Sequence, residues 1–257
     1  MPVTTRPHSC YHSHMMQLLA AGAAELGYPL SPTQLAQFET FRTELQSGNE
    51  RVNLTSIKEP AEVETLHFLD SLTVLLALDL PQPEVTAPLI LDVGSGAGFP
   101  GIPLKIVLPE ARISMLEATG KKVSFMKHVI TTMALSGIEA LQGRAEDLAQ
   151  TPALRESFHF VVSRAVAPLV TLAELCLPFC SIGGRFIAMK KGDMTAEMAA
   201  ARDAIRILGG APPHSTSIPS TLFDDNRTLI TIVKRAPTPH AYPRRSGMPA
   251  HNPIHNR

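Results

Sequence analysis

Leu89-Ile90-Leu91-Asp92-Val93-Gly94-Ser95-Gly96-Ala97-Gly98-Phe99-Pro100-Gly101 is the stretch that decides the architecture of this 257-residue chain. A short apolar run carries one carboxylate and is closed by three glycines at alternate positions. Apolar runs of this length, ended by glycine, read as strands buried in a parallel sheet. Glycine lacks the Cβ that would hold a ligand away from the backbone, and it tolerates the positive φ of a sharp turn. Pro100 and Pro103 suit the first turn of a helix starting near Phe99, where a missing N–H costs little. Strand, tight loop and helix N-terminus in succession predict a site for a nucleotide-like ligand.

Two ligands compete for that site. Gly96-Ala97-Gly98-Phe99-Pro100-Gly101 matches the G-x-G-x-x-G dinucleotide fingerprint, a weak pattern by itself. Asp92 weighs against it, because a carboxylate at the strand end would oppose a pyrophosphate by like-charge repulsion. S-adenosylmethionine has no phosphate and offers an ammonium and a sulfonium instead. The spacing Asp92-x-Gly94-x-Gly96-x-Gly98 resembles the first motif of the class I methyltransferases.

Outward from this loop the pattern is regular. After Pro88, strands are predicted over Ile113 to Leu116 (ending at Glu117), Ile138 to Gln142, Phe160 to Ser163, Gly184 to Met189 and Leu229 to Val233, the last closing the sheet. Between them helices are predicted over Lys121 to Met133, Val170 to Phe179 and Ala196 to Leu208. Such alternation means an α/β fold, a mostly parallel sheet with helices on both faces. Upstream the chain reads as helical. Met15 to Leu26 has helical spacing, and Ser31-Pro32-Thr33-Gln34 resembles a capping box with proline at the first helical position. The helix that follows carries Leu35, Phe38, Phe41 and Leu45 on one face and is expected to stop near Gly48-Asn49. A single helix over Ala61 to Leu78 is expected to turn Val63, Leu66, Leu69, Leu72 and Leu76 inward. The expected organisation is a disordered start (1–12), a helical N-terminal module (13–83) joined through Pro81-Gln82-Pro83, a Rossmann-like domain (84–236), and a basic, proline-containing tail (237–257) that is extended.

Composition narrows the function. Apolar stretches such as Leu75 to Leu80 and Pro88 to Val93 are far too short to span a bilayer, and the N-terminus lacks the apolar segment of a signal peptide. Cys10, Cys176 and Cys180 are an odd number without further soft ligands nearby, which reads as small buried thiols in a reducing cytosol and no metal site. Formal net charge is zero, but its distribution is uneven: no Asp or Glu follows Asp225, whereas Arg227, Lys234, Arg235, Arg244, Arg245 and Arg257 do. Lys121, Lys122 and Lys127 form another basic group, with Lys190 and Lys191 later.

Four strand ends carry the candidate chemistry. Glu117, after the second strand, is placed to accept hydrogen bonds from both hydroxyls of a ribose. Gly143-Arg144-Ala145-Glu146-Asp147 follows the third strand, where a loop passes over an adenine. Arg164, in Ser163-Arg164-Ala165 after the fourth, can pair with a methionyl carboxylate or a phosphate. Lys190, after the fifth, lies on the same rim. Asn53-Leu54-Thr55 and the cluster His67, Asp70 and Ser71 are polar points in apolar helical surroundings. The last three share one helical face, so they lack the opposed geometry of a nucleophilic triad and read as a hydrogen-bonded cluster against the sheet.

Asn53-Leu54-Thr55, His67-Phe68-Leu69-Asp70-Ser71-Leu72, Asp92 to Pro103, Lys121-Lys122 and Ser163-Arg164-Ala165 occur in the order found in the bacterial small-subunit rRNA guanine-N7 methyltransferases, also called glucose-inhibited division protein B. The resemblance runs from about Leu30 to Val233, and Tyr242-Pro243-Arg244-Arg245 resembles the tails of some members. It implies a class I fold with a seven-stranded sheet, S-adenosylmethionine as methyl donor, and N7 of a 16S rRNA guanine near the decoding site as acceptor. The donor-site candidates are Asp92, Gly94, Gly96, Gly98, Phe99, Glu117, Ala145, Glu146 and Arg164; positioning candidates are Arg164, Lys190 and Asn53. Candidates for RNA contact are Lys121, Lys122, Lys190, Arg244 and Arg245. The implied partner is 16S rRNA or the small ribosomal subunit, met in the cytoplasm by a monomer that uses no metal and no membrane. One departure is visible: His159 stands where the family has Asp. N7 bears no proton, so no general base is required, and none is assigned. A non-catalytic, donor-binding ribosome-assembly factor and a nicotinamide-dependent oxidoreductase are the competing readings.

Overall fold

The computed structural model describes residues 16–78, 87–164 and 167–254. The expected disordered start (1–12), the Pro81-Gln82-Pro83 connection, Cys10, Ala165 and Arg257 lie outside them.

Helix α1 (Gln17–Glu25) is followed by α2 (Pro32–Arg51), which starts in the expected capping box: Gln34 N–H donates to Ser31 Oγ at 3.3 Å, and Ser31 N–H to Gln34 Oε1 at 2.9 Å. The helix does not stop at Gly48. A Cβ there would lie 2.5 Å from Phe125 Cε2, so this glycine admits a neighbouring helix rather than ending its own. The single helix expected over 61–78 is divided into α3 (Pro60–Glu62), a π-helical stretch (Val63–Leu69), α4 (Asp70–Leu72) and α5 (Leu75–Leu78). The wider π turn rotates the inward face. Leu76 is 39% exposed and Leu66 only half-buried, while His67, Asp70 and Ser71 are buried with Val63, Leu69 and Leu72.

The sheet contains β1 (Leu89–Val93), β2 (Arg112–Glu117), β3 (Ile138–Gln142), β4 (Phe158–Ser163), β5 (Cys180–Lys191), β6 (His214–Ser217) and β7 (Arg227–Val233), in the order β3-β2-β1-β4-β5-β7-β6. Strands β1 to β5 pair in parallel; β7 runs antiparallel to β5, and β6 antiparallel to β7. The fold is therefore the expected mostly parallel α/β sheet. Strand β6 was not legible, since His214-Ser215-Thr216-Ser217 has no apolar alternation and sits at the edge. In consequence β7 does not close the sheet; it lies between β5 and β6.

The connecting helices are α6 (Gly101–Val107), α7 (Gly120–Thr132), α8 (Ala145–Leu148), α9 (Leu169–Cys176, continued as a 3-10 turn to Phe179) and α10 (Thr195–Ile207). One apolar layer joins Phe38, Phe41, Phe68 and Phe99 with α6 and α7, so the N-terminal helices and the sheet share a core. The opposite layer is formed by α9 and α10, with Cys176 and Cys180 as buried free thiols. His159, the departure from the family, retains an acceptor where Asp would offer one: its Nδ1 takes the N–H of Leu89 at 3.0 Å, at the start of β1. Residues after Ala236 do not stay extended. They fold back on α8 and α9 and include α11 (Met248–His251). Among the described residues no helix is long and apolar enough to cross a membrane.

Candidate functional site

Strand order reverses between β1 and β4, and in open α/β sheets a ligand crevice forms at the carboxyl ends beside such a point. The glycine loop lies there. Gly94, Gly96 and Gly98 have φ of +78°, +58° and +96°. At Gly94 and Gly96 an added Cβ would meet nothing within 4 Å, so this face of the loop is open. At Gly98 it would stand 2.4 Å from Ile102 Cδ1, so that glycine serves packing.

Two carboxylates hold the loop. Glu117 Oε2 accepts the N–H of Gly96 at 3.1 Å, and Oε1 that of Thr119 at 2.8 Å. A carboxylate has about four acceptor sites, so Glu117 keeps capacity for a pair of hydroxyls. Asp92 lies deeper. It is fully buried, and its Oδ2 accepts the N–H of Gly101 at 2.9 Å. A Cβ on Gly101 would come within 3.1 Å of that oxygen and 2.7 Å of Met115 Cγ. Asp92 thus shapes the loop from behind rather than lining an open cleft, and Gly101 is the partner that motif reading missed. Burial raises the Asp92 carboxyl to about 7, against the pull of Gly101, Ser95 and Arg164.

The second half of the site is an aromatic and ionic cluster. His67 stacks on Phe99 with ring centroids 4.5 Å apart, and the Arg164 guanidinium lies 4.8 Å from the same centroid. Arg164 Nη1 donates to Leu66 O at 3.3 Å and to Asp70 Oδ2 at 3.2 Å. The other oxygen of Asp70 pairs with Arg227, which also holds Asp225 at 2.9 Å. Burial opposes the charge of Arg227, but Asp70 and Asp225 more than offset it and raise its pKa. The chain reading placed Arg227 only among the basic residues; its strand had no motif to mark it. His67 Nε2 lies 2.8 Å from Thr55 Oγ1. Desolvation first, then the fields of Arg164 and Arg227, push His67 down to about 3, so it is neutral at physiological pH. Among the described residues, the buried side-chain polar atoms without a partner are His67 Nδ1 and Asp92 Oδ1. Both flank the glycine loop, one through Phe99 and the other through Gly101. Open glycines and spare acceptors on Glu117 fit a polar nucleoside-like ligand.

These two shifts carry a testable pH signature. Folded Asp92 stays protonated where the unfolded chain ionises, so its contribution to stability is lost as pH rises from about 4 to about 7. His67 acts oppositely: its contribution is lost as pH falls from about 6.5 towards 3. The slopes oppose each other in the shared window. Asp92→Asn removes the first, so stability should fall more steeply on acidification, by up to about 1.4 kcal/mol per pH unit. Urea midpoints measured at several pH values check this; parallel curves for parent and variant would refute the assignment.

The remaining candidates divide. Ala145 is buried and Glu146 half-buried at the start of α8, and Glu146 Oε1 accepts the N–H of Gly247 at 2.8 Å. Asn53 is exposed beside Leu54 and Thr55, whose N–H groups are held by Asn49 Oδ1 at 2.8 and 3.0 Å. Lys121 and Arg245 are exposed and Lys122 half-buried, as RNA contact would need. Lys190 is not free. Its Nζ donates to Ala167 O at 2.7 Å and to Glu197 Oε1 at 2.5 Å, which fixes α10 to the sheet. Arg244 is likewise committed, to Glu174 on α9. In both cases the cation lies against a buried or half-buried carboxylate on a helix packed beside it, the next helix in the chain for Lys190 and one 70 positions earlier for Arg244.

The family model described as rRNA small subunit methyltransferase G matches residues 34–222. Curated relatives carry the name Ribosomal RNA small subunit methyltransferase G. The one from Dehalococcoides mccartyi strain BAV1 is 46% identical over 239 residues, covering 93% of this chain and 100% of its own. That from Roseiflexus sp. RS-1 is 44% identical over 243 residues, with coverage of 93% and 100%. Among solved structures, a candidate O-methyltransferase from Klebsiella pneumoniae matches with a TM-score of 0.54 at 16% identity, covering 87% of this chain and 100% of that one. Protein Atu636 from Agrobacterium tumefaciens, described as a predicted O-methyltransferase, gives 0.51 at 20% identity, covering 63% and 80%. At such identities the structural likeness speaks to the fold alone.

Proposed function

The chain belongs to the rRNA small subunit methyltransferase G family, and from that premise we propose that it transfers a methyl group from S-adenosylmethionine to N7 of a guanine in 16S rRNA. The observation that carries the donor assignment is Glu117, which braces Gly96 and Thr119 at the end of β2 and retains lone pairs for a vicinal diol. When bound, the donor supplies an electrophilic methyl on sulfonium. Gly94 and Gly96 let it approach the backbone, Glu117 orients its ribose, and Asp92 keeps the loop in place through Gly101. Ala145 and Glu146, at the start of α8, would border its adenine. Arg164 spends Nη1 on Asp70 and Leu66, and its remaining donors suit a carboxylate or phosphate.

The acceptor asks for alignment rather than proton transfer. The N7 lone pair lies in the ring plane and carries no hydrogen, so attack on the methyl releases no proton and leaves a cationic base. Catalysis then rests on orientation and exclusion of water. The charges beside the loop agree with this. Arg164, Arg227 and Lys191 share Asp70 and Asp225, so most of the positive charge that a cationic product would meet is already offset. RNA affinity falls to the exposed Lys121 and Arg245 and the half-buried Lys122, and selectivity to an unpaired base presented in a loop. The partner is 16S rRNA or the small ribosomal subunit, met in the cytoplasm.

Mapping N7-methylguanine in small-subunit rRNA, with and without this protein, tests the assignment; the modification should appear only with it. Single-turnover methylation at saturating donor should show no rising limb from a protein base between about pH 6 and 8. A rise abolished by His67→Gln would mean that proton removal is required, and the N7 assignment would then fail.

A further inference from the structure

Arg155 and Glu156 hold the start of the tail, Arg155 donating to Thr238 O at 2.8 Å and Tyr242 O at 3.0 Å and Glu156 Oε1 accepting the Thr238 N–H at 2.6 Å. Beyond Tyr242 the segment is fastened at two further places, on α9 and on α8. On α9, Glu174 is buried with its side chain 1% exposed. Arg244 answers that buried charge three times: its N–H and Nε reach Glu174 Oε1 at 2.9 Å each, and Nη2 reaches Oε2 at 2.6 Å. A carboxylate enclosed this way is costly unless paired, so Arg244 is held in place. Thr171, also on α9, donates its hydroxyl to Pro249 O at 3.1 Å.

The second fastening is on α8. Gly247 N–H donates to Glu146 Oε1 at 2.8 Å, and Gln150 Nε2, just beyond the helix, donates to Pro243 O at 2.9 Å. Gly247 has φ +85°, and a Cβ there would meet only His251 Cδ2, at 3.6 Å. Replacement by alanine therefore strains the backbone without creating a clash. At the entrance to α8, Gly143 N–H bonds to Glu117 O at 3.1 Å, so the loop after β3 is tied directly to the residue that braces the glycine loop.

We infer that residues 242–249 form a positioning strap for the donor site: anchored on α9 by Arg244, the segment holds Glu146 and α8 in the arrangement that accepts the donor. Arg244 and Gly247 are then positioning residues rather than RNA contacts. The inference rests on the reading above that the donor lies at the loops after β1, β2 and β3.

The test compares the full-length parent with Gly247→Ala, Arg244→Gln and the double variant Glu174→Gln/Arg244→Gln, which avoids an unpaired buried charge. Three quantities are measured: S-adenosylmethionine affinity by calorimetry, amide exchange over residues 143–148, and binding to a small-subunit rRNA fragment across salt concentrations. Gly247→Ala should weaken donor affinity by about tenfold, as for a loop competent about a tenth of the time, with faster exchange at 143–148. RNA affinity and its salt slope should match the parent. Donor affinity and exchange both unchanged would overturn the strap. So would loss of RNA binding at constant donor affinity, which would make the segment an RNA-binding arm. A parent chain that binds no donor would overturn the donor reading, while exchange at 143–148 would still decide whether the segment holds α8.

Discussion

Replacing Gly96 with valine is expected to weaken S-adenosylmethionine binding at least about a hundredfold, some 2.7 kcal/mol. Two physical effects act together. Gly96 adopts φ +58°, a conformation that costs an L-residue roughly 1–2 kcal/mol and a β-branched one more. The loop would relax towards negative φ, which turns the Gly96 N–H away from Glu117 and releases the carboxylate that braces the site. If the conformation were kept, the new side chain would project into the open face of the loop, where the proposed donor site lies. Gly96→Ala should give a smaller loss, because strain acts with little added bulk. Calorimetric titration measures both variants, with melting temperature as a check on folding. Donor affinity within twofold of the parent in a folded Gly96→Val chain would remove this loop from the donor site.

The largest effect on stability is expected at Asp70. Its two oxygens serve two guanidiniums, Arg164 and Arg227, and the side chain of Arg227 is only 5% exposed. Asp70→Ala leaves these cations facing each other without their shared counter-charge. Removing one partner from a buried ionic group typically costs about 3–5 kcal/mol, because the remaining charge keeps its desolvation penalty. Arg227 retains Asp225, and Arg164 is partly solvated, so the lower part of that range is expected. Urea unfolding of parent and variant at neutral pH gives the difference. A further change, Arg227→Met in the Asp70→Ala background, should restore part of the loss by removing the stranded cation. A loss below about 0.5 kcal/mol for Asp70→Ala, the range of ordinary surface substitutions, would show that water already screens the cluster.

How much was legible in the chain differs between backbone and side chain. The alternation of apolar strands with amphipathic helices identifies the parallel sheet, because period and burial are local properties of a segment. The loop at Gly94, Gly96 and Gly98 is legible for the same reason: positive φ is written into glycine itself, and all three adopt it. Ser31 and Gln34 likewise form the capping box that their spacing announces. Strand β6 escaped because an edge strand needs only backbone pairing, and polar residues such as Ser215 and Ser217 satisfy that without any pattern. The π-helical stretch at Val63–Leu69 escaped because helical periodicity assumes a uniform turn; the wider turn exists where it brings His67 and Asp70 against Phe99 and Arg164.

The chain alone, then, determines the strand–helix order, the glycine loop with Asp92 behind it, and Glu117 at the end of the neighbouring strand. Each depends on residues adjacent in sequence or on the topology that their periodicity demands. The tertiary structure alone decides which charges remain available. Lys190 and Arg244 look free as residues on a rim and in a tail, yet Lys190 meets Glu197 on the helix that follows its strand and Arg244 meets Glu174, 70 positions earlier. Arg227, unremarkable in its strand, shares Asp70 with Arg164, 63 positions earlier, at the edge of the glycine loop. A side chain's charge is local, but the field that holds or frees it comes from groups brought near by folding, and no spacing along the chain records that distance.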